Sequence, residues 1–421
     1  MTAAAPTEPR RAAIAFILVT AMLDVMALGI IIPVLPSLIE QYAGSDSRAG
    51  LINGGFVAVW CLMQLIASPI IGSLSDKIGR RPVILVSAAG LAIDYVIMAL
   101  APDLWWLLVG RIISGITTSS FTVAYAYMAD ITPEERRARA YGLIGAAFSA
   151  GFVLGPLLGG LFGELGPRAP FWAAGALSAI AFLYGLFVLP ESLPKEQRMD
   201  FSWARANPVG SLILLRRHPE LFGLAMTGFL MHFGHYVFHA VFVLYAMYRY
   251  DWGPWQVGAL LAFSGVLDII VQGAVVGPVV KRLGDRWTLV LGLSAGGVGL
   301  VVMGFASLGW VFALAMIPTA LWGLAMPTAQ SLMTRRVSGS EQGQLQGANM
   351  SLVSIAGMIS PLVLGGVYAM AVGEYAHLGQ PGAPFLLAGL LLIGATVLAW
   401  RVTQAATKAE AAEEAAQQAA P

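Results

Sequence analysis

"GSLSDKIGRRP", residues 72–82, lies between two apolar runs of membrane-spanning length and holds one acid, three bases and two glycines. A charge cluster this dense between two oily runs reads as a short turn at a membrane surface. The rest of the chain agrees. Of its 421 residues 58% are hydrophobic and 11% charged, against roughly 25% charged in soluble domains. A water-soluble core could not hide so much apolar surface, so the natural solvent is lipid. The single cysteine, Cys61, allows no intrachain disulfide, and there is no CxxC, HExxH or GxSxG. An enzyme is not expected, and neither is a metal or a cofactor.

A membrane span needs about 20 apolar residues. Twelve such runs follow: 14–36, 50–72, 82–101, 104–128, 140–163, 169–189, 219–246, 255–279, 287–308, 310–333, 345–372 and 382–401. The fold class is therefore an all-α integral membrane protein with twelve transmembrane helices. With the amino terminus inside, twenty of the 24 Lys and Arg fall in cytoplasmic loops. Only Arg48, Arg168 and Arg249 lie outside, and Arg111 is within a span. The positive-inside rule produces this split when both termini are cytoplasmic.

A shift of 205 residues lays one half on the other. Gly72 lands on Gly277, Gly79 on Gly284, Arg81 on Arg286, Trp105 on Trp310, Gly142 on Gly347 and Pro156 on Pro361. One offset across three regions marks a duplicated six-helix unit. Parallel repeats about an axis along the membrane normal are a transporter architecture, with the substrate site at the repeat interface. The expected organisation is an N-terminal six-helix bundle (1–189), a central cytoplasmic linker (190–218), a C-terminal six-helix bundle (219–401) and a polar cytoplasmic tail (402–421).

In the opening stretch Gly79 supplies a tight turn and Pro82 suits the start of the next helix. Asp76 and Arg80, four apart, can pair on a helix. In the second copy, "GPVVKRLGDRW", Lys281 and Asp285 take those places, so the pair is expected again with its sign reversed. Either it latches neighbouring helices in one state, or the loop is simply solvated.

These residues resemble the major facilitator superfamily. "GSLSDKIGRRP" is similar to its signature between helices 2 and 3, "GRIISGITTSS" (110–120) to its helix 4 motif, and "GAAFSAGFVLGPLLGG" (145–160) to its helix 5 antiporter motif. More narrowly, "MLDVMALGIIIPVLPSL", "AIDYVIMALAP", "YMADITPEERRARAYG" and "GQLQGA" resemble the bacterial tetracycline-efflux branch of the drug:proton antiporters. The resemblance implies the major facilitator fold and antibiotic efflux from a bacterial inner membrane. Two departures stand out. That branch leads one to expect an aspartate in helix 9, where Gly296 stands, and a histidine in helix 8, where Asp268 stands.

Charged side chains at mid-bilayer cost about 2.5–3.5 kcal/mol on insertion scales. Asp24, Asp94, Arg111 and Asp268 are therefore the candidates for proton coupling; a permanent polar pair joining helices is the bland reading of Asp24 and Asp94. A carboxyl whose surroundings alternate between wet and dry can take up and release a proton. Gln64 and Gln272 could bind substrate or bridge helices. His232, His235 and His239, at i, i+3 and i+7, form one helical face, read as a polar cavity-lining stripe rather than a metal site. Gly151, Gly155, Gly159 and Gly163 recur every fourth residue, with Pro156 among them, and suit close helix packing or a sliding interface. Asp130 could meet the basic turn or end a helix in water. Gly72, Asp76, Gly79, Arg80, Arg81, Asp130, Gly151, Gly155, Pro156 and Gly159 form the candidate conformational switch.

The expected function is proton-coupled export of amphipathic drug-like small molecules, tetracyclines among them, by alternating access. A proton-coupled uptake carrier and a non-transporting receptor are the rivals. The expected partners are a small-molecule substrate, protons and the lipid bilayer; no nucleic acid is expected, and a monomer suffices. ATP is not implied, since no GxxxxGK[ST] loop is present.

Overall fold

The computed structural model describes residues 9–118, 120–133, 136–201, 219–337 and 342–418, and among them every regular element is helical. By packing, the chain divides into two compact units, Met1–Asn207 with Val243–Gly265, and Pro208–Phe242 with Val266–Pro421. Bilayer hydrocarbon offers backbone groups no water, so only structures that satisfy their own hydrogen bonds can span it.

The chain runs through α1 (Pro9–Ile31), α2 (Leu35–Ala43), α3 (Asp46–Ile78), α4 (Arg80–Leu100), α5 (Leu104–Thr117), α6 (Ser120–Ile131), α7 (Arg137–Gly163) and α8 (Ala169–Val188). After the linker come α9 (Pro219–His235), α10 (Val237–Ala240), α11 (Phe242–Tyr250), α12 (Pro254–Ile270), a π turn (Val271–Val275) and α13 (Val276–Phe305). Then α14 (Gly309–Leu314), α15 (Met316–Ala320), a 3-10 turn (Leu321–Leu324), α16 (Ala325–Thr334), α17 (Gln342–Val372) and α18 (Ala383–Gln418) follow.

Local chemistry sets several ends. The Ser45 hydroxyl accepts from the Arg48 N–H and starts α3. The Asp103 carboxylate accepts from the Trp105 and Trp106 N–H groups and starts α5. Both satisfy donors that a helix leaves orphaned at its first turn.

Among the described residues, eleven helices are long and apolar enough to cross a membrane. One of them, Pro254–Phe305, has 52 residues. It bends out of helical geometry at Gly284, with φ 74° and ψ 166°. Divided there, it supplies two passes and brings the total to the expected twelve. Gly79 has the same backbone sign, φ 107° and ψ 160°. A left-handed turn of this kind suits glycine, and both copies of the repeat place one at that position.

Several helices differ from their sequence expectation. The first span does not close at residue 36; it resumes as α2 as far as Ala43, because Pro36 sits in the first turn of a new helix, where its missing N–H costs nothing. The seventh, expected unbroken over 219–246, is interrupted between His235 and Val237 and again before Phe242. The tenth contains a 3-10 turn and the eighth a π turn. Both kinds of turn are local changes of hydrogen-bond register that apolar periodicity does not reveal. The last helix continues through most of the polar tail to Gln418.

Each unit repeats one packing plan. In the first, α1 packs on α7 and α8, and α4 on α8. In the second, α9 packs on α17 and α18, and α13 on α18. The glycine row of α7 explains how close α1 comes. A Cβ on Gly151 would lie 2.6 Å from the Met22 carbonyl oxygen, one on Gly155 2.7 Å from that of Met26, and one on Gly159 would strike that of Ile30. Both rows advance four residues at a time, so the glycines form a continuous groove for the α1 backbone. The row does not extend to Gly163, which faces Pro254 instead. Gly29 completes the contact from the other side, its own Cβ position 2.9 Å from Pro156 Cδ. The 205-residue shift takes Gly29 to Gly234 and Gly155 to Ser360, whose hydroxyl donates to the Phe233 carbonyl at 2.5 Å.

Gly159→Leu, which overpacks the groove, is expected to destabilise the protein by about 1–3 kcal/mol. Gly142→Ala, on the same helix where a Cβ meets nothing within 4 Å, should be neutral or stabilising by up to ~1 kcal/mol. Thermal unfolding in detergent reads both.

Candidate functional site

The first unit gathers three of the four charged groups expected within the membrane. Asp24 on α1 is 7% exposed and Asp94 on α4 is fully buried. Neither Asp94 carboxylate oxygen has a hydrogen-bond partner, nor does Oδ1 of Asp24 or the Thr20 hydroxyl one turn earlier. Arg111 on α5 directs Nη2 to the Met98 sulfur at 3.6 Å, and its Nε is unpartnered. Met98 is one turn along α4 from Asp94. Asp94 and Arg111 thus attract one another without forming an ion pair. Tyr95, 1% exposed, lies within electrostatic reach of Asp24, Asp94 and Arg111.

Gly110 lets α4 and α5 meet at this level. A Cβ there would lie 2.7 Å from Asp94 Oδ1 and 2.5 Å from Met98 Cγ. A structural polar pair would satisfy its buried lone pairs, because an unmade hydrogen bond costs more than a made one gains. Asp24, Asp94 and Arg111 each leave at least one buried polar atom without a partner. Gln64 on α3 is half-buried, one turn from Trp60, whose indole N–H is also unpartnered.

In the second unit Asp268 is half-buried near the end of α12, and Gln272 is exposed on the π turn that follows. This turn packs against the 3-10 turn 321–324, with Val271 and Leu324 in one apolar cluster. The three histidines do not act as one stripe. His232 Nδ1 bonds the Gly228 carbonyl of its own helix at 2.8 Å. The interruption after His235 then brings the His235 ring 5.7 Å from that of His239 and 5.5 Å from Trp322. Among the described residues no cluster suits a metal ion.

Gly296 carries a spatial reason for departing from the tetracycline branch. A Cβ there would lie 2.9 Å from Trp322 Cβ and 3.0 Å from Leu392 Cδ2. The indole of Trp322 fills the space into which an aspartate would project.

The turn between α3 and α4 is a charged network. Arg80 pairs with Asp76 at 2.6 Å and with Asp130 at 3.3 Å, and Nη1 donates to the Ser75 hydroxyl at 2.6 Å. Asp130 thus meets the turn from α6. Arg81 donates to the Leu186 carbonyl at the end of α8. The sign-reversed pair of the second copy takes different partners from those expected. Asp285 pairs with Arg335 at 2.8 Å and accepts from the Ser331 hydroxyl; no ion pair with Lys281 forms among the described residues. The 205-residue shift takes Arg80 to Asp285 and Asp130 to Arg335. What survives with inverted sign is the bond between helices, because two helix ends can be held together only by groups on different helices. Gly72, by contrast, has nothing within 4 Å of its Cβ position.

Sequence reasoning missed Glu191. Its Oε1 accepts from the N–H groups of Arg80 (2.8 Å), Ser192 (3.0 Å) and Leu193 (3.1 Å), and Oε2 pairs with Arg198 at 3.8 Å. An anion at the start of α4 complements the orphan donors and dipole there. The signal lay in "PES" immediately after the sixth span. Trp322 was also missed, since one tryptophan among eleven carries no positional signal.

The profile of the Major Facilitator Superfamily matches residues 17–361, and again 269–421. The class C tetracycline resistance protein of Escherichia coli is 39% identical over 363 residues, covering 86% of this chain and 91% of that protein. The class G protein of Vibrio anguillarum is 38% identical, covering 84% and 89%. Among solved structures, a bacterial homologue of the human lysosomal transporter Spinster superposes with a TM-score of 0.78 at 16% identity, over 95% of this chain and 98% of that one.

Arg80→Gln is expected to cost about 1.5–3 kcal/mol, the range for hydrogen bonds to charged groups. Arg335→Gln should cost under about 1 kcal/mol, because its side chain is 72% exposed and solvent screens the pair. Gly296→Asp should sharply reduce folded protein, and Gly296→Asp with Trp322→Ala should restore part of it. Fluorescence-detected size-exclusion chromatography of each variant checks these outcomes.

Proposed function

The chain belongs to the major facilitator superfamily, a transporter family rather than an enzyme family, and on that footing we propose that it exports amphipathic drug-like small molecules against an inward flow of protons. Its substrates include tetracyclines, as the names of the Escherichia coli and Vibrio anguillarum relatives suggest. The observation that carries the coupling is the group of buried Asp24 and Asp94 and half-buried Arg111, charged side chains that all leave buried atoms unsatisfied. Such an arrangement is expensive to hold in one protonation state, so a change of protonation can drive a change of conformation. Asp268 adds a fourth ionisable group in the second unit and stands for the acid absent at Gly296.

In this reading, residues 1–189 and 219–401 form two bundles that alternately expose the substrate to either side. Gln64, Gln272 and the His235–His239–Trp322 group contact substrate, with His232 behind them. Arg80, with Asp76, Asp130 and Arg81, holds the cytoplasmic ends of its helices in one state and releases them in the other. Gly79 gives the turn its shape and Gly72 leaves it free space. The glycines of α7, with Pro156, form the surface on which α1 shifts. The protein acts as a monomer in a bacterial inner membrane, with both termini in the cytoplasm.

Expressed in a drug-susceptible bacterial host, the native chain should raise tolerance to tetracyclines and other amphipathic compounds. Asp24→Asn, Asp94→Asn and Asp268→Asn should each lower substrate-driven proton flux in everted vesicles by tenfold or more, at equal amounts of folded protein. Normal export by all three variants would refute the coupling. Substrate accumulation in place of tolerance would favour an uptake carrier.

A further inference from the structure

The outward end of α2, α3 and α5 contains a feature that drug export does not use. A cavity of about 310 Å³ is lined by Tyr42, Ala43, Arg48, Leu51, Ile52 and Leu104. We propose that it is a phospholipid site, with the lipid phosphodiester on Arg48 and the first part of an acyl chain between Leu51, Ile52 and Leu104.

Charge supplies the first argument. Arg48 is one of only three basic residues on the outward side, which the orientation rule leaves poor in lysine and arginine. Arg168 is fully engaged; it donates to the Tyr42 hydroxyl and the Ala101 carbonyl at 2.8 Å and to the Ala99 carbonyl at 3.3 Å. The Tyr42 hydroxyl in turn donates to the Ala101 carbonyl at 2.8 Å, which fixes the ring as one wall of the cavity. The Arg48 guanidinium, by contrast, makes no hydrogen bond or ion pair among the described residues; only its backbone N–H is used, toward Ser45. The acids nearest in sequence, Glu40 and Asp46, lie close enough to each other to interact, and neither pairs with Arg48. Arg48 is thus an exposed planar cation with its donors open, and such a group matches a phosphate oxygen pair.

Depth supplies the second argument. Trp105 and Trp106, next to Leu104, are 74% and 49% exposed. Exposed tryptophans flanking a span mark the interfacial belt, so Arg48 and the cavity mouth lie at headgroup level. Size supplies the third. The volume is at the low end of small-molecule sites, roughly 300–1,000 Å³, which suits a chain segment better than a whole polycyclic drug. A soluble anion would satisfy Arg48 but leave the apolar walls wet, and a hydrocarbon alone would leave Arg48 unpaired. A phospholipid satisfies both.

The test is native mass spectrometry of the full chain, purified in mild detergent and titrated with phosphatidylglycerol. The native protein should retain one lipid more tightly than the rest. Arg48→Gln should weaken that retention about tenfold, as loss of one charge-assisted contact would. Arg48→Lys should fall between the two, and Leu51→Trp, which fills the cavity from its exposed edge, should also lose the lipid. Arg249→Gln, at another outward arginine, should leave retention unchanged. Retention by Arg48→Gln equal to native would overturn the proposal. Unchanged retention by Leu51→Trp, or displacement of the lipid by millimolar inorganic phosphate, would equally overturn it by showing an anion site with no role for the chain.

Discussion

A polar group surrounded by hydrocarbon cannot turn to water, and the rest of the structure follows from how this chain meets that constraint. Backbone groups meet it by helix formation alone, which is why the described residues contain no strand. Side chains meet it in two ways. Ser and Thr hydroxyls bond carbonyls of their own helix, as Thr117, Thr118, Thr227 and Thr403 do. Asp24, Asp94 and Arg111 do not; each leaves a buried atom unsatisfied. Those four hydroxyls are structural by that measure; among the groups left unsatisfied, which include the Thr20 hydroxyl and the Trp60 indole N–H, the charged ones are the costliest to bury and call most for a function.

The duplication shows which features the fold needs and which can vary. Both copies keep a glycine with positive φ at this turn, Gly79 and Gly284, because no other residue makes that turn without strain. Both keep an ion pair across two helices, but with opposite polarity, Arg80 to Asp130 and Asp285 to Arg335. Attraction is required there and its sign is not. The first copy carries the added carboxylate of Glu191. In the second the arginine, Arg335, is 72% exposed, so the two turns are held with unequal strength.

The α1–α7 contact shows the same economy of means. Four-residue spacing of glycine on one helix meets four-residue spacing of carbonyls on the other, and hydrocarbon gives helices no hydrophobic reason to associate, so backbone approach and dispersion do the joining. In the second unit a serine replaces the glycine and bonds the carbonyl it meets. A close contact and a hydrogen bond are alternative ways to hold the same two helices.

Amino-acid order by itself determined the all-helical membrane class, the twelve passes and the duplication. All of these rest on apolar run length, lysine and arginine placement and glycine position, which are local quantities. It also pointed to Asp24, Asp94 and Arg111, because a charge inside an apolar run is visible without coordinates. Tertiary structure alone decided what those residues meet: that Asp94 lies beside Arg111 yet forms no ion pair, that Trp322 occupies the space beside Gly296, that His232 turns to its own backbone while His235 and His239 meet, and that Asp285 reaches Arg335 rather than Lys281. The physical reason is that partners of this kind lie on different helices, tens to hundreds of residues apart. Their meeting depends on helix rotation and on breaks such as those at His235 and Val271, which apolar periodicity averages away.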